Sequence, residues 1–271
     1  MVTIAQLTDT HIVREGTTYF GTDTTSYLED AIAALQALHP RPDCVVVTGD
    51  LVNYGRSEEY VRFREIMRAL PTPYFVVPGN HDEREQLRAT LPADTIGGSD
   101  EGLVRYAVDS FKVRLIGIDA NAQRPWPGAA LDRDSLEWLE RTLASDTERP
   151  TILLVHQPAF RTGLHLLDIF GFRGGRRLRA LVESNPNVGR VLSGHIHCVK
   201  SCRWGNAFAL TGPSTAPQVV PELFGSTPLR LHPERPGFAI HAWDAASGFT
   251  TTIYRRNDAG TYLPTETFDS R

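Results

Sequence analysis

The sequence predicts a layered α/β fold, on two observations. Short β-rich runs alternate with stretches whose apolar residues recur at helical intervals. Some of the β-rich runs are continuously apolar, as strands covered on both faces are. Val2–Leu7 is the first run, and residues 27–38 follow with Leu28, Ile32, Leu35 and Leu38 on one helical face. Cys44–Thr48 is a second strand, and 57–70 a second helix with Ser57 as N-cap ahead of Glu58 and Glu59. Tyr74–Val77 is a third strand, followed by a short helix from about Asp82. Residues 102–108 and 112–118 read as neighbouring strands joined at Asp109-Ser110. A helix over 132–143, a strand over 151–155, a helix over 175–183 and a strand over 190–192 come next. The last third reads as shorter strands and turns. With no internal repeat, low-complexity tract or linker, 1–271 is expected to be one domain, with 158–175 and 217–236 as pocket-rim or oligomer-contact excursions.

Composition bounds the partners. The 271 residues carry 28 Lys plus Arg against 32 Asp plus Glu, a formal net charge of −4, so no global basic surface exists for long nucleic acid or anionic membrane. No apolar run approaches the length of a membrane span, and residues 2–7 read as a strand, not a leader. Cysteines 44, 198 and 202 cannot all pair within one chain, and Cys198-x-x-x-Cys202 lacks a second pair for a zinc ribbon. Reduced thiols in a cytoplasmic protein are the expectation.

The informative pattern is where the metal-type residues fall. Five β-runs each lead into them: Asp9-Thr10-His11, Gly49-Asp50, Gly79-Asn80-His81-Asp82, His156, and Gly194-His195-Ile196-His197. In open α/β sheets ligands bind outside the carboxyl ends of strands, so these loops converge if the strands share a layered core. Asp9-x-His11 and His195-x-His197 are i, i+2 pairs, which extended backbone would project to one side. Gly49, Gly79 and Gly194 each precede a candidate ligand, where a φ closed to other residues is expected. Five of the nine histidines lie in these loops.

Asp9, His11, Asp50, Asn80, His156, His195 and His197 offer nitrogen and oxygen donors without thiolate, a set suited to Fe, Mn, Zn or Co. Seven side chains exceed the need of one tetrahedral ion. Two divalent or trivalent ions about 3.5–4 Å apart, sharing one carboxylate, use them all, and lower the pKa of bound water enough to give a hydroxide nucleophile. The chemistry expected is metal-assisted phosphoester hydrolysis.

With these motifs in this order, the sequence resembles the calcineurin-like metallophosphoesterases. The resemblance covers residues 9–197 and implies a four-layer αββα sandwich of two mixed sheets flanked by helices, with a dinuclear centre. It implies that Asp9, His11 and His197 hold one metal, that Asn80, His156 and His195 hold the other, and that Asp50 bridges them. His81 would contact phosphate and protonate the leaving group. Residues 49–55 (Gly-Asp-Leu-Val-Asn-Tyr-Gly), Pro78-Gly79-Asn80-His81-Asp82 and the loop Tyr19-Phe20-Gly21 are similar to the class III cyclic-nucleotide phosphodiesterase and bacterial glycerophosphodiesterase branch. That implies hydrolysis of a small phosphodiester by metal-hydroxide attack, a homo-oligomer, and Asn80, His81, Tyr19 and Gln157 as substrate contacts. A phosphomonoesterase or nuclease on the same fold is the alternative. A non-catalytic scaffold is the alternative of a different class, and the complete ligand set argues against it.

Two departures stand out. Many relatives have two histidines where this chain has His156-Gln157, and the glycerophosphodiesterase-like members have a histidine near Ala216-Pro217-Gln218, where this chain has none. Arg173, Arg176, Arg177 and Arg179 form a basic cluster, read as a solvated helix face against the option of attracting phosphate.

Overall fold

A computed structural model describes residues 1–98, 102–121, 128–220, 231–232 and 235–269. Chain order begins β1 (Val2–Leu7), α1 (Thr24–Ala37), β2 (Cys44–Thr48), α2 (Ser57–Met67), β3 (Tyr74–Val77) and α3 (Arg84–Thr90). The middle runs β4 (Tyr106–Val108), β5 (Arg114–Gly117), β6 (Ala129–Ala130), α4 (Arg133–Ala144), β7 (Thr151–Leu154), α5 (His165–Asp168), β8 (Phe172–Arg173) and α6 (Gly175–Ser184). Then come β9 (Val188–Ser193), β10 (Lys200–Trp204), β11 (Ala207–Thr211), β12 (Gln218–Val219), β13 (Leu231–His232), β14 (Gly237–Asp244), β15 (Gly248–Arg256) and β16 (Tyr262–Asp269).

Two mixed six-stranded sheets form the body. The first has the order β16-β15-β14-β1-β2-β3, with β1, β2 and β3 parallel and the other strands antiparallel. The second has the order β10-β11-β9-β7-β5-β4, parallel from β11 to β5 with an antiparallel strand at each edge.

The second sheet's sequence sorts its side chains between two cores by strict alternation. Leu115, Ile152, Leu154, Leu192 and Leu210 join the core shared with the first sheet and with α1, α2 and α3. Their neighbours Ile116, Leu153, Val155, Val191 and Ala209 pack instead against Leu136, Leu139 and Leu143 of α4 and Leu178, Leu181 and Val182 of α6. Helix, sheet, sheet, helix is therefore the layer order, as the resemblance implied.

Several local readings need correction. Ser57 opens α2 as its first residue; the Glu59 carboxylate turns back to accept the Arg56 and Tyr54 N–H groups, which fixes the start one residue earlier than a serine cap would. α3 begins at Arg84, not near Asp82, because the Asp82 carboxylate is engaged by Gly79 N, Leu51 N and the Tyr60 hydroxyl. The last third holds the longest strands of the described residues: β14, β15 and β16 span 8, 9 and 8 residues. In β15 only the alternate residues Phe249, Thr251 and Ile253 are buried, and partly exposed Thr250, Thr252 and Tyr254 lie between them, which hid the strand from an apolar-run reading. Of the 217–236 excursion, 221–230 and 233–234 lie outside the described residues. Among the described residues no helix is long and apolar enough to cross a membrane.

A candidate dinuclear metal centre

The loops after β1, β2, β3, β7 and β9 meet at one end of the sandwich. Asp9, His11, Asp50 and His197 bring ligand atoms together in one group, and Asp50, His156 and His195 in a second, so Asp50 is common to both. Asp50 Oδ2 lies 3.6 Å from His11 Nε2 and 3.3 Å from His156 Nε2. His197 Nε2 is 3.6 Å from Asp9 Oδ1, and His156 Nε2 is 3.1 Å from Asn80 Oδ1. All seven residues anticipated as ligands are thus in one place.

The backbone that aims them is not extended. Asp9, His11, Asp50, His195 and His197 all have positive φ, between 42° and 71°. This corrects the i, i+2 expectation: each of these five ligands sits in a left-handed turn, a conformation unfavourable for a non-glycine residue and held here by the surrounding bonds. The glycines also divide. Gly49 has φ +93°, as anticipated, whereas Gly194 is required by close approach, since a Cβ there would lie 1.9 Å from Thr8 Oγ1.

Each strand end is braced. His195 N donates to Asp9 Oδ1 at 2.9 Å, and His81 N donates to Asp50 Oδ1 at 2.9 Å. The imidazoles are oriented through Nδ1: His156 donates to Thr48 O at 2.7 Å, His197 to Pro217 O at 2.7 Å, and His11 faces Asn53 Oδ1 at 3.2 Å. A carbonyl oxygen only accepts, so these contacts place a proton on Nδ1 and turn Nε2 toward the centre.

This donor set fits metal ions. The Nε2 atoms of His11 and His197 face one another across 3.0 Å, and His156 Nε2 faces two oxygens. Acceptors converging this closely repel one another until a cation lies among them. Burial also holds the His11 pKa well below its usual range and brings His195 down to about 3, so both imidazoles are neutral. Burial works the same way on His156, but the Asp50 charge and hydrogen bond outweigh it and raise the imidazole to about 9. Burial acts to raise Asp50, yet the His156 charge and hydrogen bond hold its carboxyl well below the usual carboxylate range. Without metal, a proton on His156 pairs with Asp50; metal uptake displaces it.

The other anticipated residues fall around this core. His81 donates Nδ1–H to Asn53 O at 2.8 Å and sets its ring edge-on to His11, 4.8 Å between centroids. Tyr19 stacks flat on His11, with centroids 4.4 Å apart and planes 4° apart. Gln157 is 5% exposed and belongs to neither ligand group.

Sequence reasoning missed the supports. Gln6 Nε2 donates to Thr48 Oγ1 and to Ser193 O, both at 2.9 Å, and so clamps the ends of β1, β2 and β9 just below the ligand turns. His241 Nε2 in turn meets Gln6 Oε1 at 3.0 Å. Asn53 serves two histidines at once, His11 through its side chain and His81 through its carbonyl. Asn121, beyond β5, donates to Gly79 O at 2.7 Å. Ser214 and Thr215 donate to the Asp9 and Thr8 carbonyls, so the segment lacking the relatives' histidine holds Asp9 and His197 from below. A glutamine inside an apolar strand was the one visible signal among these.

Two mixed sheets flanked by helices, with Asp and His turns gathered at the strand ends, define a metallophosphoesterase. The chain belongs to the calcineurin-like phosphoesterase family, whose model matches residues 2–199. It is similar to the glycerophosphodiester phosphodiesterase GpdQ of Enterobacter lignolyticus, 36% identical over 221 residues covering 80% of this chain and 78% of that protein. It is also similar to the 3′,5′-cyclic adenosine monophosphate phosphodiesterase CpdA of Pseudomonas aeruginosa, 33% identical over 238 residues covering 88% of this chain and 84% of that one. In fold it matches a dimetal phosphatase from Danio rerio at a TM-score of 0.70 and 17% identity, over 100% of this chain and 99% of the other.

Proposed function

We propose that this protein hydrolyses small phosphodiesters with two metal ions. The observation that carries the reading is the sharing of Asp50 between two ligand groups. In this reading Asp9, His11, His197 and Asp50 hold one ion, and Asp50, Asn80, His156 and His195 the other. Fe, Mn, Zn and Co suit these nitrogen and oxygen donors. The bound pair supplies an activated water and neutralises charge on the phosphoryl oxygens. Asp50 is held ready by the His81 N–H, and the Asn53 carbonyl orients His81. With Nδ1 so engaged, Nε2 is the atom that carries a proton to the departing alkoxide.

The relatives named as diesterases at 36% and 33% identity support a diester over a monoester. The free thiols of Cys44, Cys198 and Cys202 support a cytoplasmic setting, and exposed Ile169 and Phe170 support self-association. The deciding experiment is a paired assay, after metal reconstitution, on a phosphomonoester, an unhindered phosphodiester and 3′,5′-cyclic AMP. A higher kcat/KM for the diesters is expected; preference for the monoester overturns the reading.

A further inference from the structure

A cavity of about 640 Å³ opens beside the metal centre, with His195 and Gln157 among its walls. Its size suits a small molecule the bulk of a nucleoside. Phe160, Phe172 and Trp204 give it apolar surface, and four arginines line it: Arg161 after β7, Arg176 and Arg179 in α6, and Arg203 in β10.

The arginines near this cavity are of two kinds. Arg177, which does not line it, pairs with Glu140 at 3.2 Å, and Arg179, which does, pairs with Glu183 at 2.9 Å. These two answer to the solvated helix face anticipated from sequence. Arg161, Arg176 and Arg203 have no acidic partner among the described residues. The acidic residue lining the cavity, Asp168, is already engaged, accepting hydrogen bonds from Thr162 N, Thr162 Oγ1 and Gly163 N, each at 2.9 Å. Three guanidinium groups therefore act on the cavity unopposed.

A second observation points to a ligand. Gln157 is 95% buried in the cavity wall, and neither its Nε2 nor its Oε1 has a hydrogen-bond partner. A buried amide left so is destabilising, a penalty that a bound molecule offering both an acceptor and a hydroxyl donor removes. An imidazole at this position could offer only one acceptor and one donor from a rigid ring; the amide reaches further and offers two donors.

We propose that this cavity is a second anion site, which receives the alcohol portion of the diester and selects substrates carrying an additional phosphate on that portion. The inference rests on the diesterase reading above. The metal centre holds the scissile phosphate, Gln157 hydrogen-bonds the ester region of the alcohol, and the apolar surfaces cover its body. Arg161, Arg176 and Arg203 grip the second phosphate, whose oxygens match the guanidinium fork.

The test measures binding as well as turnover. Thymidine 3′,5′-bisphosphate and thymidine 5′-monophosphate are titrated calorimetrically into the metal-reconstituted full chain. The bisphosphate is expected to bind about tenfold tighter, a difference of about 1.4 kcal/mol. That preference disappears in Arg161→Ala/Arg176→Ala/Arg203→Ala, inverts in the single exposed variant Arg176→Glu, and persists in Arg177→Ala, which removes a nearby charge outside the cavity. Equal affinities in the wild type, or a preference that survives the triple variant, overturn the proposal. In parallel, thymidine 5′-(4-nitrophenyl phosphate) is assayed with and without a 3′-phosphate. Hydrolysis of both at equal kcat/KM overturns the anion site and leaves the diesterase reading standing. Hydrolysis of neither, with the binding preference intact, does the reverse.

Discussion

The first sheet brings Asp9, His11, Asp50 and Asn80 to the metal centre, from the loops after β1, β2 and β3, whereas the second sheet brings imidazoles alone: His156 after β7, and His195 and His197 after β9. Both carboxylates thus stand on one sheet, and three of the four histidines on the other. Neither sheet completes either ligand group, because His197 crosses to join Asp9 and His11, and Asp50 crosses to join His156 and His195. The centre is therefore a joint between two layers as well as a catalytic device. Its donors are in place only when the sheets are packed in register, and ions bound there hold the layers together.

The strongest way to break this asymmetry is at the shared carboxylate. Asp50→Asn is expected to reduce bound metal from about two ions per chain to fewer than one and to abolish hydrolysis, read by elemental analysis of the purified protein and by assay. Reconstitution is expected to raise the melting temperature of the wild type, and the same substitution to remove that rise. If Asp50→Asn keeps both ions, the two groups do not depend on their common member.

Next in size is His81, which the first sheet positions outside both ligand groups. His81→Ala is expected to keep the metals and lower kcat by about 10²–10⁴-fold for diesters with poor leaving groups, with a much smaller loss for 4-nitrophenyl esters. Equal losses across leaving groups contradict a proton donor.

A smaller effect tests the clamp between the layers. Gln6→Leu strips partners from Thr48 Oγ1, Ser193 O and His241 while preserving bulk. It is expected to lower stability by about 3 kcal/mol in urea denaturation and to weaken metal retention. A variant as stable as the wild type would mean that the sheets are joined by apolar packing alone.

The smallest effect is a pH dependence. Burial, with the Arg190 charge adding to it, brings His241 down to about 3 from an ordinary 6.5. Between those values the unfolded chain binds the extra proton and the folded chain does not, so this histidine's contribution is complete above about pH 6.5 and is lost progressively as pH falls toward 3. In His241→Gln the stability deficit measured at pH 7.5 is expected to shrink at pH 4.5. A constant deficit removes His241 from the acid response.

The metal centre was far more legible in the sequence than its supports. Strand ends marked by Asp-x-His, Gly-Asp, Gly-Asn-His-Asp and Gly-His-x-His stand out because ligand chemistry admits few residue types and each motif is local. Gln6, Asn53, Asn121 and Ser214 act through contacts spanning 28 to 205 positions in the chain, and polar residues of their kinds occur throughout the sequence. The four basic residues of the 173–179 cluster look alike as a string; only the placement of Glu140 and Glu183 separates Arg177 and Arg179, which are paired, from Arg176, which lines the cavity without an acidic partner among the described residues.

The sequence by itself determined the alternation of strand and helix, the continuous apolar runs that demanded strands covered on both faces, and the seven donor residues with their order. These follow from periodicity and from the narrow choice of side chains that bind hard and borderline cations. Only the tertiary structure decided that five of the ligands sit in left-handed turns, that Asp50 belongs to both groups, and that Gln157 and three arginines without acidic partners among the described residues share one cavity. Left-handed backbone at Asp and His is locally unfavourable, so it exists only where bonds from distant strands enforce it, and those bonds arise when the two sheets close on each other.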